Sequence, residues 1–124
     1  MARILAVDDE PGILLIMKAV LGSQKYEVVT TLDGNNALEI LDSGEKIDLV
    51  ISDVRMDPIN GIELLQRAKK VRPGLPVIMV TAFYSNDAAE TARGMGAFGY
   101  IAKPFKTEDF LAMVERALKS TGAK

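Results

Sequence analysis

The 124-residue sequence predicts an α/β fold in which helices cover both faces of a parallel sheet. The first observation behind this prediction is a set of four apolar runs, too short for helices and without polar alternation, as in parallel strands buried on both faces. The second is that segments with helical spacing separate these runs, so strands and helices alternate regularly. Right-handed crossovers then give a doubly wound, three-layer sandwich.

Five strands are predicted. Residues 26–30 form a more polar run, which suits a strand at the edge of the sheet. The four apolar runs cover residues 4–7, 49–51, 77–80 and 100–102. Together with five helices, these strands account for a single domain of residues 1–124, without an internal repeat or a long linker.

Each predicted helix has residues at its ends that favour a helix terminus. The first covers residues 11–21, with Pro11 in its first turn and Gly22 at its end, and the second covers residues 35–41, capped by Asp33. An Asn60–Glu63 capping box opens residues 62–71, which stop before Pro73-Gly74. Ser85 caps a helix that ends at Gly94 or Gly96, and Thr107 caps a last helix with Phe110, Val114 and Leu118 on one face.

The composition excludes several kinds of site and partner. Without cysteine there is no disulfide framework or thiolate metal site, and without histidine the usual general base is missing. The net charge is −2 with interspersed signs, so we expect no direct binding of nucleic acid. The first apolar run reaches Asp8 too early for a signal peptide or a membrane span. We therefore expect a cytoplasmic protein without a membrane partner.

Acidic residues follow two of the apolar runs at the carboxyl edge of the predicted sheet, where ligands bind in such folds. Asp8 and Asp9 follow the first run, and Asp53 lies just beyond the second. Three carboxylates at one edge repel each other unless a hard cation compensates, and Mg²⁺ or Mn²⁺ suits oxygen ligands. Each aspartate alone could instead cap a helix or turn. The coincidence of three favours a metal site.

Thr81 and Lys103 follow the last two apolar runs. The ammonium of Lys103 suits a phosphoryl oxygen, and the Thr81 hydroxyl can donate a hydrogen bond to one. The alternatives are a solvated lysine at a strand end and a threonine bonded within its own loop. Pro104 allows a cis peptide bond after Lys103, although few such bonds are cis. Phosphoryl transfer needs positioning and charge neutralisation more than an acid or base, so the lack of histidine is no obstacle.

The ordered set Asp8-Asp9, Asp53, Thr81 and Lys103-Pro104 resembles the receiver domain of bacterial two-component response regulators over essentially the whole chain. The resemblance implies a flavodoxin-like fold with strand order 2-1-3-4-5. It also implies that Asp53 accepts a phosphoryl group from a phosphohistidine on a sensor histidine kinase or a phosphotransfer protein, with Mg²⁺ as cofactor and Mn²⁺ as a possible substitute. Thr81 and Lys103 would hold two phosphoryl oxygens.

The resemblance further assigns metal ligands and switch residues. Asp9, Asp53 and the backbone carbonyl of Arg55 would coordinate the metal directly, and Asp8 would contribute closely or through water. On phosphorylation, Thr81 and the rotamer of Tyr100 would change the surface formed by the fourth helix, fifth strand and fifth helix, residues 85–117. That surface would regulate an output domain or a downstream protein. Residues 88–97 within this surface are rich in Gly and Ala, which is compatible with a mobile, weakly held element. The alternative is ordinary helix packing of small residues. Such a protein is a switch rather than an enzyme, catalysing only its own phosphorylation and dephosphorylation.

Three positions near the expected site stand out against the family pattern. Asp57, followed by Pro58, occupies the place where the family commonly has proline. Arg55 and Phe83 occupy positions that flank access to the phosphoryl group in the family. Because a long cation and a bulky ring obstruct an attacking water, we predict slow intrinsic hydrolysis of the aspartyl phosphate.

The first predicted helix is apolar nearly all round over residues 13–17, whereas a surface helix normally has one apolar stripe. Exposed apolar patches usually mark interfaces. Our hypothesis is that the outer side of this helix docks the four-helix bundle of a kinase or phosphotransfer protein. The alternatives are a contact with an output domain and a surface without function.

Two other functions share parts of this pattern. A Mg²⁺-dependent phosphohydrolase with an aspartyl nucleophile would need a substrate cap or specificity pocket, for which 124 residues leave no room. A flavodoxin-like cofactor protein needs a Gly/Ser/Thr-rich phosphate loop after its first strand, where this chain has Asp8-Asp9-Glu10. The hydrolase remains the alternative to a switch.

Overall fold

Five strands alternate with five helices in the computed structural model of the chain, which describes residues 1–56 and 59–121. In chain order the elements are β1 (Arg3–Val7), α1 (Pro11–Ser23), β2 (Glu27–Thr31), α2 (Gly34–Asp42), β3 (Leu49–Asp53), α3 (Gly61–Val71), β4 (Val77–Thr81), α4 (Asn86–Gly94), β5 (Gly99–Ala102) and α5 (Thr107–Ser120).

All strand pairs are parallel, and the sheet order is β2-β1-β3-β4-β5. The predicted fold class and strand order are confirmed, including the edge position of the polar strand. The chain moves from β1 to β2 on one side and later returns to β3 on the other, so the strand order reverses between β1 and β3. In open parallel sheets this reversal leaves a crevice beyond the carboxyl ends of the strands.

Two cores lie on opposite faces of the sheet because successive strand residues point to opposite sides. In β1, Ile4 and Ala6 join a core with α1 and α5, whereas Leu5 and Val7 join a second core with α2, α3 and α4. The inner strands β1, β3 and β4 therefore bury both of their faces, which explains why their apolar runs show no alternation. Phe110, Val114 and Leu118 lie together in the first core, as predicted.

Two predicted boundaries around α1 are wrong. The helix continues through Gly22 to Ser23, and the left-handed backbone conformation that reverses the chain falls on Lys25, with φ of 66°. The N–H of Tyr26 then donates to the Leu21 carbonyl at 3.3 Å, so Tyr26 belongs to the helix-ending turn. The strand begins one residue later, where Glu27 pairs with Arg3.

Three of the predicted N-caps are confirmed and one is wrong. The side chains of Asp33, Asn60 and Ser85 each accept a backbone N–H from the residue three positions on. The Glu63 carboxylate instead pairs with Arg67 at 2.7 Å, so among the described residues only the Asn60 half of the predicted capping box is formed. At α5 the cap position is Lys106, without a side-chain cap bond, and Thr107 is already helical.

The helices that the structure describes are short, and α5 is the longest at 14 residues. Within residues 1–56 and 59–121, no helix combines the length and apolar character that crossing a bilayer requires.

Candidate functional site

The predicted site residues lie at the carboxyl ends of the inner strands β1, β3 and β4 and of the edge strand β5. Parallel register places Val7 beside Ser52 and Asp53 beside Val80. Asp8 is therefore the first residue after β1, next to the last residue of β3. Thr81 ends β4 opposite Ala102, and Lys103 is the next residue of the chain.

Four carboxylates gather at the crevice between β1 and β3. Asp8, Asp9, Glu10 and Asp53 each offer an oxygen atom, and these atoms lie within 4.8 Å of one another. Asp8 is fully buried and Asp53 is 5% exposed, whereas Asp9 and Glu10 are exposed. Glu10 was not predicted as a site residue, although its place directly after Asp8-Asp9 was a signal that could have found it.

The side chain of Lys103 enters this acidic cluster. Its ammonium lies 2.8 Å from Asp8 Oδ2, 3.4 Å from Glu10 Oε1 and 3.5 Å from Asp53 Oδ1. Burial lowers the pKa of Lys103, but the hydrogen bond to Asp8 and the surrounding carboxylates outweigh burial and raise its pKa above the usual 10.5. Lys103 is therefore a cation at neutral pH. The peptide bond between Lys103 and Pro104 is cis.

Asp8 is held rigidly on both of its oxygens. Oδ2 accepts from Lys103, and Oδ1 accepts the backbone N–H of Glu10 at 2.9 Å. The backbone N–H of Asp8 donates to the Thr31 carbonyl at 3.2 Å, which ties the loop after β1 to the end of β2. A fully buried carboxylate with donors on both oxygens is satisfied and fixed in place.

Asp53 is less well compensated than Asp8. Burial raises the pKa of the Asp53 carboxyl above its usual 3.8, and the negative charge of Asp8 adds to this effect. The Lys103 ammonium and the backbone N–H of Val54, which donates to Oδ1 at 2.9 Å, only partly offset it. The charge of Asp53 is thus held at a cost that a further cation would remove.

The donor set of the cluster fits a hard divalent cation. All of the candidate side-chain ligands are carboxylate oxygens, the type that Mg²⁺ and Mn²⁺ prefer. One ammonium faces four carboxylates, which leaves an excess of negative charge. A cavity of about 440 Å³ opens beside the cluster, lined by Asp9, Val54, Arg55, Met56, Asn60 and Ile62.

Thr81 is 1% exposed and bonds within its own loop, as one of the two alternatives predicted. Its Oγ1 accepts the backbone N–H of Phe83 at 3.0 Å, and its carbonyl accepts the backbone N–H of Lys103 at 2.7 Å. The Thr81 hydroxyl also forms a hydrogen bond with the side chain of Tyr100. Thr81 thus links the loops that follow β4 and β5.

Tyr100 points into the protein, with 5% of its surface exposed. Burial raises the pKa of Tyr100 above its usual 10.0, and a hydrogen bond with Thr81 partly offsets this. The ring packs edge-on against Tyr84, with a centroid distance of 5.4 Å. The predicted switch residues Thr81 and Tyr100 therefore lie in contact with each other, and Tyr100 also contacts Tyr84 in the loop before α4.

Arg55 and Phe83 are in direct contact above the crevice. The guanidinium carbon of Arg55 lies 3.9 Å from the centroid of the Phe83 ring, a cation–π geometry. Phe83 is 60% exposed, so the pair lies at the surface and joins the loops after β3 and β4. Asp57 and Pro58, the other departure from the family pattern, lie outside the described residues.

Comparison with known proteins gives a consistent result. The sequence profile of the response regulator receiver domain matches residues 4–115. The chain is 40% identical over 120 residues to the transcriptional regulatory protein GlrR of Escherichia coli K12, covering 97% of this chain and 27% of that protein. The chain thus spans about a quarter of the length of this curated relative.

Solved structures of separate domains match over nearly their whole length. A CheY-like receiver domain protein from Methanospirillum hungatei has a TM-score of 0.91 and 33% identity, over 98% of this chain and 96% of that one. The response regulator TrrA from Thermotoga maritima, solved in complex with Mg²⁺ and BeF, has a TM-score of 0.86 and 35% identity, over 95% of this chain and 100% of that one.

Proposed function

Because this chain belongs to the response regulator receiver domain family, we propose that Asp53 is the residue through which it works as a phosphorylation-dependent signalling switch. The phosphoryl group would come from a sensor histidine kinase or a phosphotransfer protein. The single observation that carries the proposal is the position of Asp53, a buried carboxylate within 3.5 Å of the Lys103 ammonium and inside a cluster of acidic oxygens.

The chemistry is nucleophilic displacement at phosphorus. A carboxylate oxygen of Asp53 forms the new O–P bond while the N–P bond of the donor phosphohistidine breaks, and the leaving imidazole takes up a proton from water. Asp8, Asp9, Asp53 and the backbone carbonyl of Arg55 would hold Mg²⁺, or Mn²⁺ in its place. When bound, that cation neutralises charge on Asp53 and on the incoming oxygens.

Lys103 and Thr81 would receive the transferred group. Lys103 is a buried cation already 3.5 Å from the acceptor carboxylate, so a small movement brings it to a phosphoryl oxygen. The Thr81 hydroxyl would donate to a second oxygen, and that bond would draw the loop after β4 inward. Tyr100, which packs beneath this loop, would respond through its contacts with Thr81 and Tyr84.

The changed surface would be that of α4, β5 and α5, approximately residues 85–117. Several large apolar side chains at and beside this surface are exposed, namely Phe83, Tyr84, Met95 and Phe98. Its partner would be an output domain of a longer regulator or a separate downstream protein. The relative GlrR is named a transcriptional regulatory protein, and any contact with DNA would belong to such an output domain rather than to residues 1–124, which we take as one receiver domain.

The phosphoryl donor would dock on α1. Leu15 is 69% exposed and Ile16 is 52% exposed on this helix, so its predicted outer apolar side is present. The helix begins three residues after Asp8 and therefore lies beside the crevice. We expect the cytoplasm to be the place of this encounter. Leu15→Ser should slow phosphorylation by the partner kinase but not by a small acyl phosphate, whereas Val71→Ser on α3 should change neither.

A switch differs from a phosphohydrolase in stoichiometry. Incubation with acetyl phosphate and Mg²⁺ should add one phosphate to each chain, as measured by intact-protein mass spectrometry, and Asp53→Asn should add none. Asp42→Asn, at an exposed aspartate that ends α2, serves as the matched control. Continuous release of inorganic phosphate at many turnovers per chain would support the hydrolase, and full incorporation by the Asp53→Asn variant would overturn the assignment of the acceptor.

A further inference from the structure

Glu10 is the member of the acidic cluster that the proposed transfer does not use. Its Oε1 lies 3.4 Å from the Nζ of Lys103, a residue 93 positions away in the chain. The Glu10 side chain is 63% exposed, whereas that of Lys103 is 9% exposed. A solvated carboxylate thus touches a buried ammonium from the outside of the site.

The three carboxylates around Lys103 differ in how easily they can move. Asp8, at 2.8 Å, is buried and bonded through its second oxygen to the backbone N–H of Glu10. Asp53, at 3.5 Å, is the proposed phosphoryl acceptor. Glu10 has a longer, flexible side chain on the solvent side, so it is the partner that can turn away without leaving a buried group unpaired.

Resting on the proposed function, we propose that Glu10 is a positioning residue that competes with the phosphoryl group for the ammonium of Lys103. In the unphosphorylated protein, Glu10 and Asp8 hold this ammonium toward the loop after β1. Once Asp53 carries a phosphoryl group, the added anionic oxygens are stronger partners for Lys103 than an exposed carboxylate. Glu10 then returns to water. Because the Glu10–Lys103 pair must be broken first, the protein holds the phosphoryl group less tightly than it would without Glu10.

Two simpler roles for Glu10 make different predictions. A negative charge near the crevice would repel an anion whether or not Lys103 is present. A ligand of the divalent cation would strengthen metal binding, and its loss would weaken every metal-dependent step. Competition for Lys103 predicts an effect on the phosphoryl group that requires Lys103 and persists at saturating Mg²⁺.

The experiment uses beryllofluoride, a tetrahedral stand-in for the phosphoryl group, with its affinity measured by calorimetry at saturating Mg²⁺. Wild type is compared with Glu10→Gln, Lys103→Met and the double variant. Glu10→Gln should tighten binding by about two- to fivefold, as expected for an exposed ion pair. In the Lys103→Met background, Glu10→Gln should have no effect. Glu115→Gln is the matched control, because Glu115 is 62% exposed and pairs with Lys119 at 3.0 Å.

Three results would overturn the inference. Equal tightening with and without Lys103 would show a charge effect alone, and unchanged affinity of the Glu10→Gln variant would show no competition. Weaker binding together with a higher Mg²⁺ requirement would make Glu10 a metal ligand. If wild type binds no beryllofluoride at all, the proposed function fails rather than this inference.

A second measurement removes the metal and the anion altogether. In buffer with a chelator, the same four proteins are unfolded in urea, and the effect of Glu10→Gln on the midpoint is compared in the two backgrounds. The substitution should cost more stability when Lys103 is present than in the Lys103→Met background. Additive effects would contradict a direct pair, even if Lys103→Met itself abolishes beryllofluoride binding.

Discussion

At the scale of single residues, Asp53 combines two properties that rarely occur together without a function. It is almost completely buried, and a neighbouring carboxylate, that of Asp8, is buried as well. The Lys103 ammonium compensates one carboxylate better than two, since it lies 2.8 Å from Asp8 but 3.5 Å from Asp53. A group held at this cost is a candidate functional residue for a physical reason.

The buried charge of Asp53 should lower the free energy of unfolding of the metal-free protein at neutral pH. The pKa of Asp53 is raised above 3.8 in the folded chain, so its protonated form favours folding; that contribution is complete below the unfolded value and is lost as pH rises through the folded pKa. At neutral pH, Asp53→Asn should therefore raise the free energy of unfolding, by on the order of 1 kcal/mol. Urea denaturation of both proteins with a chelator, from pH 4 to pH 8, would measure the difference.

The difference in free energy of unfolding between Asp53→Asn and wild type should grow from pH 4 to pH 8, because only wild type carries the titrating carboxyl group. Mg²⁺ should narrow the gap by stabilising wild type, by about 1.4 kcal/mol at a concentration ten times the dissociation constant. A gap that stays constant with pH would show that burial of the charge is not what destabilises the folded chain.

Arg55 and Phe83 illustrate how two separate residues combine into one feature. Each was predicted to obstruct the phosphoryl site, and the structure shows that they stack on each other at 3.9 Å. Stacking restrains both side chains, and we expect each to hold the other in the path of an attacking water.

Removal of either partner should therefore accelerate hydrolysis of the aspartyl phosphate. Arg55→Asn and Phe83→Ala should each shorten its lifetime by about two- to fivefold, the equivalent of an exposed cation–π contact. Decay of the phosphorylated protein after donor removal provides the measurement. Phe98→Ala, at another exposed aromatic residue, should leave the lifetime unchanged, and unaltered decay in both test variants would contradict the role.

At the scale of elements, the start of α3 is built against the phosphoryl acceptor. Gly61, the first residue of this helix, donates its N–H to the Val54 carbonyl at 2.8 Å. A Cβ atom at Gly61 would overlap the backbone carbonyl oxygen of Asp53 and approach the end of Met79. Glycine at this position lets helix and strand come close enough to position Asp53.

Gly61→Ala should destabilise the fold by about 1–3 kcal/mol, because backbone must shift to admit the methyl group. The contrasting substitution is Gly22→Ala in α1, where no atom lies within 4 Å of the added Cβ. It should stabilise the protein by up to about 1 kcal/mol through helix propensity. Urea midpoints that change equally in the two variants would show that the close approach to Asp53 does not constrain residue 61.

At the scale of the whole molecule, a chain of contacts runs from Thr81 at the carboxyl edge of the sheet to Tyr100 and Tyr84. Thr81 accepts from the N–H of Phe83, Tyr84 packs against Tyr100, and Tyr100 lies in β5 at the edge of the sheet. We therefore expect a hydrogen bond from Thr81 to the phosphoryl group to pull on the loop whose Tyr84 packs against Tyr100, within residues 85–117.

Thr81→Ala should separate binding from response. The variant should still bind beryllofluoride with Mg²⁺, with lower affinity, but amide chemical shifts of residues 85–117 should change less than in wild type. Thr30→Ala, at an exposed position of β2, is the control and should respond like wild type. A full response in the Thr81→Ala variant would show that the surface change does not pass through this hydroxyl.

The sequence by itself determined the layers, the strand order expected from family resemblance, and most of the helix starts. Apolar runs and capping residues are local signals, so they report the local structure reliably; Asp33, Asn60 and Ser85 are examples. The signal failed at Gly22 and Thr107, where another residue took the terminal position. A helix end depends on how the following segment meets the sheet, which neighbouring residues alone do not specify.

Only the tertiary structure decided which side chains touch at the carboxyl edge. The sequence placed Asp8, Asp53 and Lys103 at the same edge of the sheet, but it did not show that Lys103 pairs most closely with Asp8 or that Glu10 also reaches it. Nor did it show that Arg55 stacks on Phe83. These contacts join residues far apart in the chain, and loop conformation and side-chain rotamers set their distances. Strand ends are encoded locally, whereas the distances between the groups they carry depend on the packed whole.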